Sequence, residues 1–415
     1  MSNQLTPKYS ILIPTYNGVN YLPACVNTII EQNFSNFELL ISNDNSTDST
    51  DKYLNSLSHP NIVILNPPES MSMAEHWEWL LAHAKGEWIM FVGQDDGVQP
   101  YFFELSEKLT QIATQKKLRT IASKRAYYFW PGCEDRYGDI AIQYTAFSKI
   151  RILNFRLHTL LALLGLKTYF DLPQMYTTSM FHRSIIEDAK KMQNEKVFIT
   201  HPQDANLAAI GCSLEKSFLW SEVPLGWVGS SPKSAGMAIR PKNKIDNGNE
   251  INSLKEDYIS KVKNSKLICH PLVGDFELGS LSIYFWGALL QIKHLTSSRF
   301  SNLISSKIFK TFLFGSVLLN PDFSNTHLLK LFKRVVELNK CNMFLVSFVS
   351  KLLYPIKIAY KIINKIDNWI LKITSRAFSY SKSWGEEEDL SMKKSSEYVI
   401  NGVRQNNILL KIFAK

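Results

Sequence analysis

Over residues 1–92 the chain alternates short apolar runs with helical patterns, and that alternation leaves few folds open. Residues 9–13, 37–41, 61–65 and 87–92 are brief runs rich in aliphatic and aromatic side chains, and each ends in a polar loop. Runs of that length and make-up read as buried strands. Between the first two, residues 20–32 carry Leu22, Val26, Ile29 and Ile30 at helical spacing, with Pro23 in the first turn, where a missing N–H does no harm. Residues 74–84, with Trp77, Trp79, Leu80 and Leu81, form a further helix. Strands alternating with helices predict right-handed crossovers and a mostly parallel central sheet flanked by helices, an α/β fold. The carboxyl ends of such strands gather ligands along one rim.

One strand end is chemically distinctive. The run at 87–92 stops at Gly93-Gln94-Asp95-Asp96-Gly97. Ionised carboxylates are costly to bury without partners, so the acids belong in a cleft. Two of them at a strand end suit a hard divalent cation carrying phosphates, although Asp and Gly also build ordinary turns. The loops Pro14-Thr15-Tyr16-Asn17 and Asn43-Asp44-Asn45 would reach the same rim, where a nucleotide can lie across all three. There is no G-x-G-x-x-G after the first strand and no G-x-x-x-x-G-K-[ST] anywhere, which argues against a dinucleotide dehydrogenase or a P-loop phosphotransferase.

Read in order, Ile11-Leu12-Ile13-Pro14-Thr15-Tyr16-Asn17-Gly18, Tyr21-Leu22, residues 33–41 and Asp44-Asn45-Ser46-Thr47-Asp48-Ser49-Thr50 resemble the opening of the family 2 glycosyltransferases. The resemblance implies the GT-A nucleotide-sugar-binding fold, a UDP-sugar type of donor, a divalent metal (Mn or Mg) and transfer with inversion. It also implies a place in bacterial surface polysaccharide assembly, such as O-antigen or capsule. By the same resemblance, Pro14, Thr15, Tyr16 and Asn17 lie beside base and ribose, Asp44 accepts a hydrogen bond from the base, and Asp95 and Asp96 serve the ribose and the metal-bound diphosphate. Two departures stand out. Many members carry Asp where this chain has Gly93 and a second acid where it has Asn43, so each loop is one acid short, and which of Asp95 and Asp96 is the closer metal ligand is open.

An inverting transferase needs a base on the far side of the sugar from the leaving group. Asp204, in His201-Pro202-Gln203-Asp204, stands at the start of a helix continued by Leu207, Ala208 and Ile210. Asp is an ordinary helix cap, but the family presents an acidic base on a helix start about this far beyond its metal loop. His76, Gln94, His201, Gln203 and Trp227 are further candidates for acceptor or donor contacts. None of the histidines forms an H-x-x-x-H or H-E-x-x-H pair, so they do not read as a zinc site. Arg240, Lys242 and Lys244 lie in a polar segment that reads as a mobile loop or a linker.

With 415 residues, 45% of them hydrophobic, the chain divides into a transferase domain at 1–230, a flexible loop or linker at 231–253 and a mainly helical C-terminal region at 254–415, with Pro321 and Pro355 as breaks. Five scattered cysteines without a C-x-x-C pair fit reduced thiols in the cytoplasm. No secretory signal and no uncharged stretch of about 18 apolar residues is seen. Residues 301–415 hold 18 Lys or Arg against 8 Asp or Glu, which is the whole net charge of +10, and residues 1–300 are balanced at 29 of each sign. Lys351, Lys357, Lys361, Lys365 and Lys372 alternate with Ile358, Ile362, Ile366, Trp369, Ile370 and Ile373 so that a helix there has a basic and an apolar side. Such a helix suits the head-group layer of an anionic membrane, which places the protein on the cytoplasmic face of the inner membrane near a glycan or lipid-linked acceptor. Nucleic acid is not expected, for want of a binding motif. A catalytically silent nucleotide-sugar or glycan-binding subunit is the alternative reading.

Overall fold

The computed structural model describes residues 6–234, 256, 260–262, 264, 265, 267, 270–273, 280–386 and 390–414. The loop carrying Arg240, Lys242 and Lys244 lies outside them. The opening order is the one the periodicity predicts: β1 (Tyr9–Thr15), α1 (Leu22–Ile30), β2 (Phe37–Asn43), α2 (Thr50–Ser56), β3 (Ile62–Leu65), α3 (Met73–Leu81) and β4 (Trp88–Phe91). Then come β5 (Gly97–Val98), α4 (Phe102–Gln115), β6 (Thr120–Ser123), β7 (Ala126–Phe129), α5 (Glu134–Tyr137), β8 (Ile140–Phe147), β9 (Ile150–Asn154) and α6 (Phe155–Leu163). The domain continues through β10 (Ser179–His182), α7 (Arg183–Met192), α8 (Gln203–Leu214), β11 (Ser217–Ser221) and β12 (Gly226–Ser230).

β1 and β2 are buried almost throughout, which is why they read as continuous apolar runs and not as alternating ones. β3, β2, β1 and β4 pair in parallel, in that order. Beyond β4 the eight-stranded sheet continues β10-β6-β11-β9, with β10 antiparallel to both neighbours. The sheet is therefore parallel where the crossovers α1, α2 and α3 operate and mixed beyond. A second sheet runs β8-β7-β12-β5, with a strand from the C-terminal part, β13 (Ala377–Ser383), pairing on the far edge of β8.

The C-terminal residues cover both faces of the main sheet. On one side, α9 (Leu281–Gln291), α10 (Ser298–Ser305), α11 (Lys307–Leu318) and α12 (Thr326–Leu338) share a core with α3, α6 and α8. On the other, β13 (Ala377–Ser383), α14 (Met392–Gln405) and α15 (Ile408–Phe413) join the core of α1, α4 and β1. β13 pairs antiparallel with β8, Trp227 Nε1 donates to Ser396 Oγ at 3.0 Å, and Tyr128 Oη donates to the Leu390 carbonyl at 2.9 Å. A region read as helical thus returns a strand to the fold, a pairing between segments more than two hundred residues apart that no local pattern announces.

Between these two parts runs α13 (Met343–Thr374), 32 residues long. It passes straight through Pro355, which the sequence reading takes as a break. Proline removes one hydrogen bond to the preceding turn, and because Pro355 and Lys351 are exposed, water can satisfy the freed carbonyl. One face, with Val346, Val349, Ser350 and Leu353, is buried against the body. Lys357 Nζ donates to the Ser316 carbonyl at 2.8 Å, and Arg151 pairs with Asp367 at 3.1 Å. The outer face is apolar and bare: Phe344 is 76% exposed, Trp369 62% and Ile373 63%, with Phe348, Leu352, Ile362, Ile363 and Ile366 about half exposed. By length and composition α13 is sufficient to cross a membrane, with Lys351 and Lys357 inside its most apolar stretch.

Candidate active site

The carboxyl ends of β1, β2 and β4 meet as the alternation requires. Gln94 joins two of the loops: its Oε1 accepts from Thr15 Oγ1 at 2.5 Å and from Tyr16 N at 3.0 Å, and its Nε2 donates to the Tyr16 carbonyl at 3.2 Å. Asn17 joins the third, with its N–H on Ser46 Oγ at 2.9 Å and its Oδ1 accepting from Thr47 N at 2.7 Å. Both residues are therefore braces that fix the rim. Asp44 is buried in the β2 loop of the rim; its N–H bonds the Thr15 carbonyl at 2.9 Å, Oδ1 accepts from Met71 N at 3.1 Å and Oδ2 from Ser70 Oγ at 3.3 Å. His76 lies behind it, its Nε2 2.6 Å from Ser42 Oγ. Burial pulls the His76 pKa down to about 4, against the pull of Asp44, so the ring is neutral near pH 7 and supports the Asp44 loop from below.

The acid pair divides its labour. Asp96 is 1% exposed and Asp95 9%. Asp96 Oδ1 accepts from Gly229 N at 2.6 Å, and Oδ2 accepts from Gly93 N at 3.0 Å and from the Thr177 hydroxyl; the Tyr176 hydroxyl bonds it as well. Burial first, and then the charge of Asp95, push the Asp96 pKa up to about 6. So Asp96, one of the two expected metal ligands, is occupied by the protein's own donors. Asp95 Oδ2 accepts from Ser231 Oγ at 2.8 Å and Ser234 Oγ at 2.5 Å, and no described donor reaches its Oδ1. Among the described residues no group of three or more His, Cys, Asp or Glu is arranged to hold a metal. A cation here fits only as one carried by Asp95 together with ligands from outside the chain, an arrangement magnesium tolerates.

The missing acid at position 93 has a steric explanation. A Cβ on Gly93 would fall onto the Tyr176 hydroxyl and come within 2.8 Å of Asp96 Oδ2. Tyr176 is held there because its segment extends the edge of β4: Phe91 N bonds the Met175 carbonyl at 2.8 Å and Thr177 N bonds the Phe91 carbonyl at 2.7 Å. Thr177 sits at φ +30°, a conformation a β-branched residue rarely adopts, and its hydroxyl is thereby aimed at Asp96.

Asp204 lies in the first turn of α8 and is half buried, its Oδ2 accepting from Tyr169 Oη at 3.0 Å and its Oδ1 from Ala205 N at 2.8 Å. Burial raises its pKa, partly offset by these bonds and by Arg125, whose guanidinium stacks 4.4 Å from the Phe170 ring. A carboxylate so raised is a better proton acceptor near neutral pH than an ordinary Asp. Burial first, and then the charges of Asp96, Asp95 and, least, Asp204, push the Tyr176 phenol up from its ordinary pKa.

The remaining candidates have internal partners. His201 is buried, neutral with a pKa near 4, and pairs through Nε2 with Ser265 Oγ at 3.3 Å. Gln203 is buried at the α8–α3 contact with Nε2 2.7 Å from Met73 Sδ. Trp227 is wholly buried between β7, Tyr144 and Ser396. Trp227, fully buried, offers no sugar contact, while Gln203 packs where α8 seats on α3 with its Oε1 unpartnered among the described residues. Tyr169, Tyr176, Thr177, Ser231 and Ser234 escaped the sequence reading. Tyr169 starts a three-residue helical turn and the others sit in loops without periodicity, where only the hydroxyl-rich stretches at 176–179 and 230–234 hint at them.

The family model described as "Glycosyl transferase family 2" matches residues 10–158. Chondroitin synthase of Pasteurella multocida is 35% identical over 104 residues, which is 25% of this chain and 11% of that protein. Glycosyltransferase GlyA of Streptococcus pneumoniae is 31% identical over 108 residues, 25% of this chain and 15% of that protein. The match thus spans only a small part of the length of these relatives. Among solved structures, S. aureus TarS 1-349 in complex with UDP-GlcNAc gives a TM-score of 0.41 at 14% identity, covering 80% of this chain and 90% of that one. The matched segment contains the braced rim of β1, β2 and β4 and the acid pair, so the glycosyltransferase family 2 likeness covers the residues that build this side of the site.

Proposed function

We propose that the protein is an inverting glycosyltransferase that moves a sugar from a UDP-sugar to a hydroxyl of a glycan or lipid-linked glycan. The observation that carries the reading is the pairing of a braced rim, with Asp44 at one end and Asp95 at the other, with Asp204, a raised-pKa carboxylate at a helix start. The base of the donor lies over Tyr16 and Asp44, and its diphosphate runs toward Asp95. Asp204 takes the proton of the acceptor hydroxyl onto its carboxylate as that oxygen attacks the anomeric carbon from the side opposite the diphosphate, which departs with the bonding electrons. Tyr169 orients Asp204, and Asp96 holds the 93–97 loop to Gly229 and Thr177 so that Asp95 stays at the cleft. A divalent Mn or Mg would be held by Asp95 and the donor's diphosphate oxygens, and when bound it neutralises charge developing on the leaving group.

The outer face of α13 lies in the head-group layer of an anionic membrane, with its axis in the membrane plane. Its inner face is fixed to the body, while Lys351, Lys361, Lys365 and Lys372 are exposed beside the apolar face. A cytoplasmic, peripheral position of this kind suits an acceptor built on a lipid carrier and a role in surface polysaccharide assembly. Thermal shift with a set of nucleotide sugars, with and without Mn, tests the donor reading. A UDP-sugar that raises the melting temperature and is consumed with an acceptor supports transfer; stabilisation without turnover points to a silent binding subunit; no stabilisation by any nucleotide sugar overturns both.

A further inference from the structure

The base end of the cleft is occupied by the chain itself. Lys261 Nζ lies 4.1 Å from the centre of the Tyr16 ring and 3.8 Å from Asp44 Oδ2. These are the aromatic face and the acceptor that a flat heterocycle would use, stacking on one and donating an N–H to the other. An ammonium satisfies both by charge, as a cation over a π face and as the partner of a carboxylate. The same segment is fastened at a second point: Ser265 Oγ lies 3.2 Å from Ser72 Oγ and 3.3 Å from His201 Nε2. Ser72 is the N-cap of α3, closed in a capping box with Glu75, so this point of attachment is rigid. His201 is neutral and three residues from Asp204 in the sequence.

We propose that Lys261 is an internal competitor for the nucleotide base, seated on Tyr16 and Asp44 when the donor is absent and displaced when it binds. The proposal rests on the nucleotide-sugar reading of the cleft. A ring and an ammonium cannot both lie on one face of Tyr16 within reach of Asp44, so donor affinity is the intrinsic affinity reduced by the fraction of molecules in which Lys261 has left. Lys261 thereby sets the threshold a ligand must pass and favours ligands that fill both the ring face and the acceptor.

Uridine, which has no phosphate, isolates the competition at the base. Calorimetric titration of uridine into the full chain and its Lys261→Ala and Lys261→Arg variants should show Lys261→Ala binding about five to ten times more tightly, the factor expected if the site is open about a tenth to a fifth of the time. Lys261→Arg, which keeps the cation, should bind as weakly as the parent. If Lys261→Ala melts at a lower temperature, Lys261→Met, which keeps the aliphatic stem, is read in its place. Equal or weaker uridine binding by the alanine and methionine variants, with UDP still bound by the parent, overturns the competitor and leaves the transferase reading standing. Failure of every variant to bind uridine, UDP or other nucleoside diphosphates overturns both.

Discussion

Around the acid pair, Asp96 collects donors from Gly93, Thr177, Tyr176 and Gly229, and the amide oxygens of Gln94 and Asn17 join loops. Along α13, by contrast, Phe344, Phe348, Ile363, Trp369 and Ile373 stand exposed with no described residue over them. The first region spends polar side chains on holding one geometry, and the second leaves large apolar side chains without protein partners on one continuous face. A water-facing surface rarely keeps such a stripe unless something else covers it. The contrast separates two kinds of substitution: those at the rim should alter stability or chemistry, and those on the outer face of α13 should alter neither while changing where the protein resides.

The largest effect is expected at Asp204. Asp204→Asn should lower kcat by about a hundredfold to ten-thousandfold, the usual contribution of a general base, while UDP binding is retained; steady-state kinetics beside calorimetry check it, and unchanged kcat removes the base. The sign with pH follows from burial. Because the carboxylate must be ionised to accept a proton and its pKa is raised, kcat/KM should fall on the acid side at a pH above the usual aspartate range of about 4. Next comes Asp96→Ala, which leaves buried donors unsatisfied and should cost about 2–4 kcal/mol in denaturant unfolding. Asp95→Asn should leave the unfolding midpoint in place and remove the metal-dependent part of donor binding. If the two variants exchange these behaviours, the division of labour between the acids is wrong.

On α13, Phe348→Glu with Ile363→Glu should abolish liposome flotation while the melting temperature and soluble-substrate turnover hold, since each large apolar side chain withdrawn from a lipid interface loses about 1.5–3 kcal/mol. Flotation that survives both glutamates breaks the comparison. Smallest is the charge effect: replacing Lys361, Lys365 and Lys372 by Gln should weaken binding to anionic vesicles by about 1 kcal/mol for each lysine at low salt. The loss should fade as salt screens the surface.

Legibility in the sequence followed range. β1, β2, β4 and α1 were plain because their patterns are complete within a few residues, and the place of Asp204 in the first turn of a helix was legible because a helix start has a local signature. The donors to Asp96 were not, because Tyr176, Thr177 and Gly229 reach it from loops and strands up to 133 residues away, and only the fold brings them together. Gly93 looked like a lost ligand; it is the clearance for the Tyr176 hydroxyl, a reason that exists only in three dimensions. Pro355 misled because a rule for helix interiors was applied to a solvent-facing position. The return of β13 and α14 to the transferase core was invisible for the same cause as most long-range pairing, the absence of any nearby partner in the chain.

That return has a practical corollary. Since Trp227 and Tyr128 close onto Ser396 and Leu390, the long helix is a detour within one continuous fold and not a handle fixed to its end. A stop codon or protease cut just past Thr374 would take away a sheet edge and part of the interior along with whatever follows the helix, so trimming would yield a collapsed fragment and not a freed enzyme. If α13 seats on a bilayer as proposed, release would have to come through salt or lipid charge, because cutting at the helix end would also remove β13 and α14 from the fold.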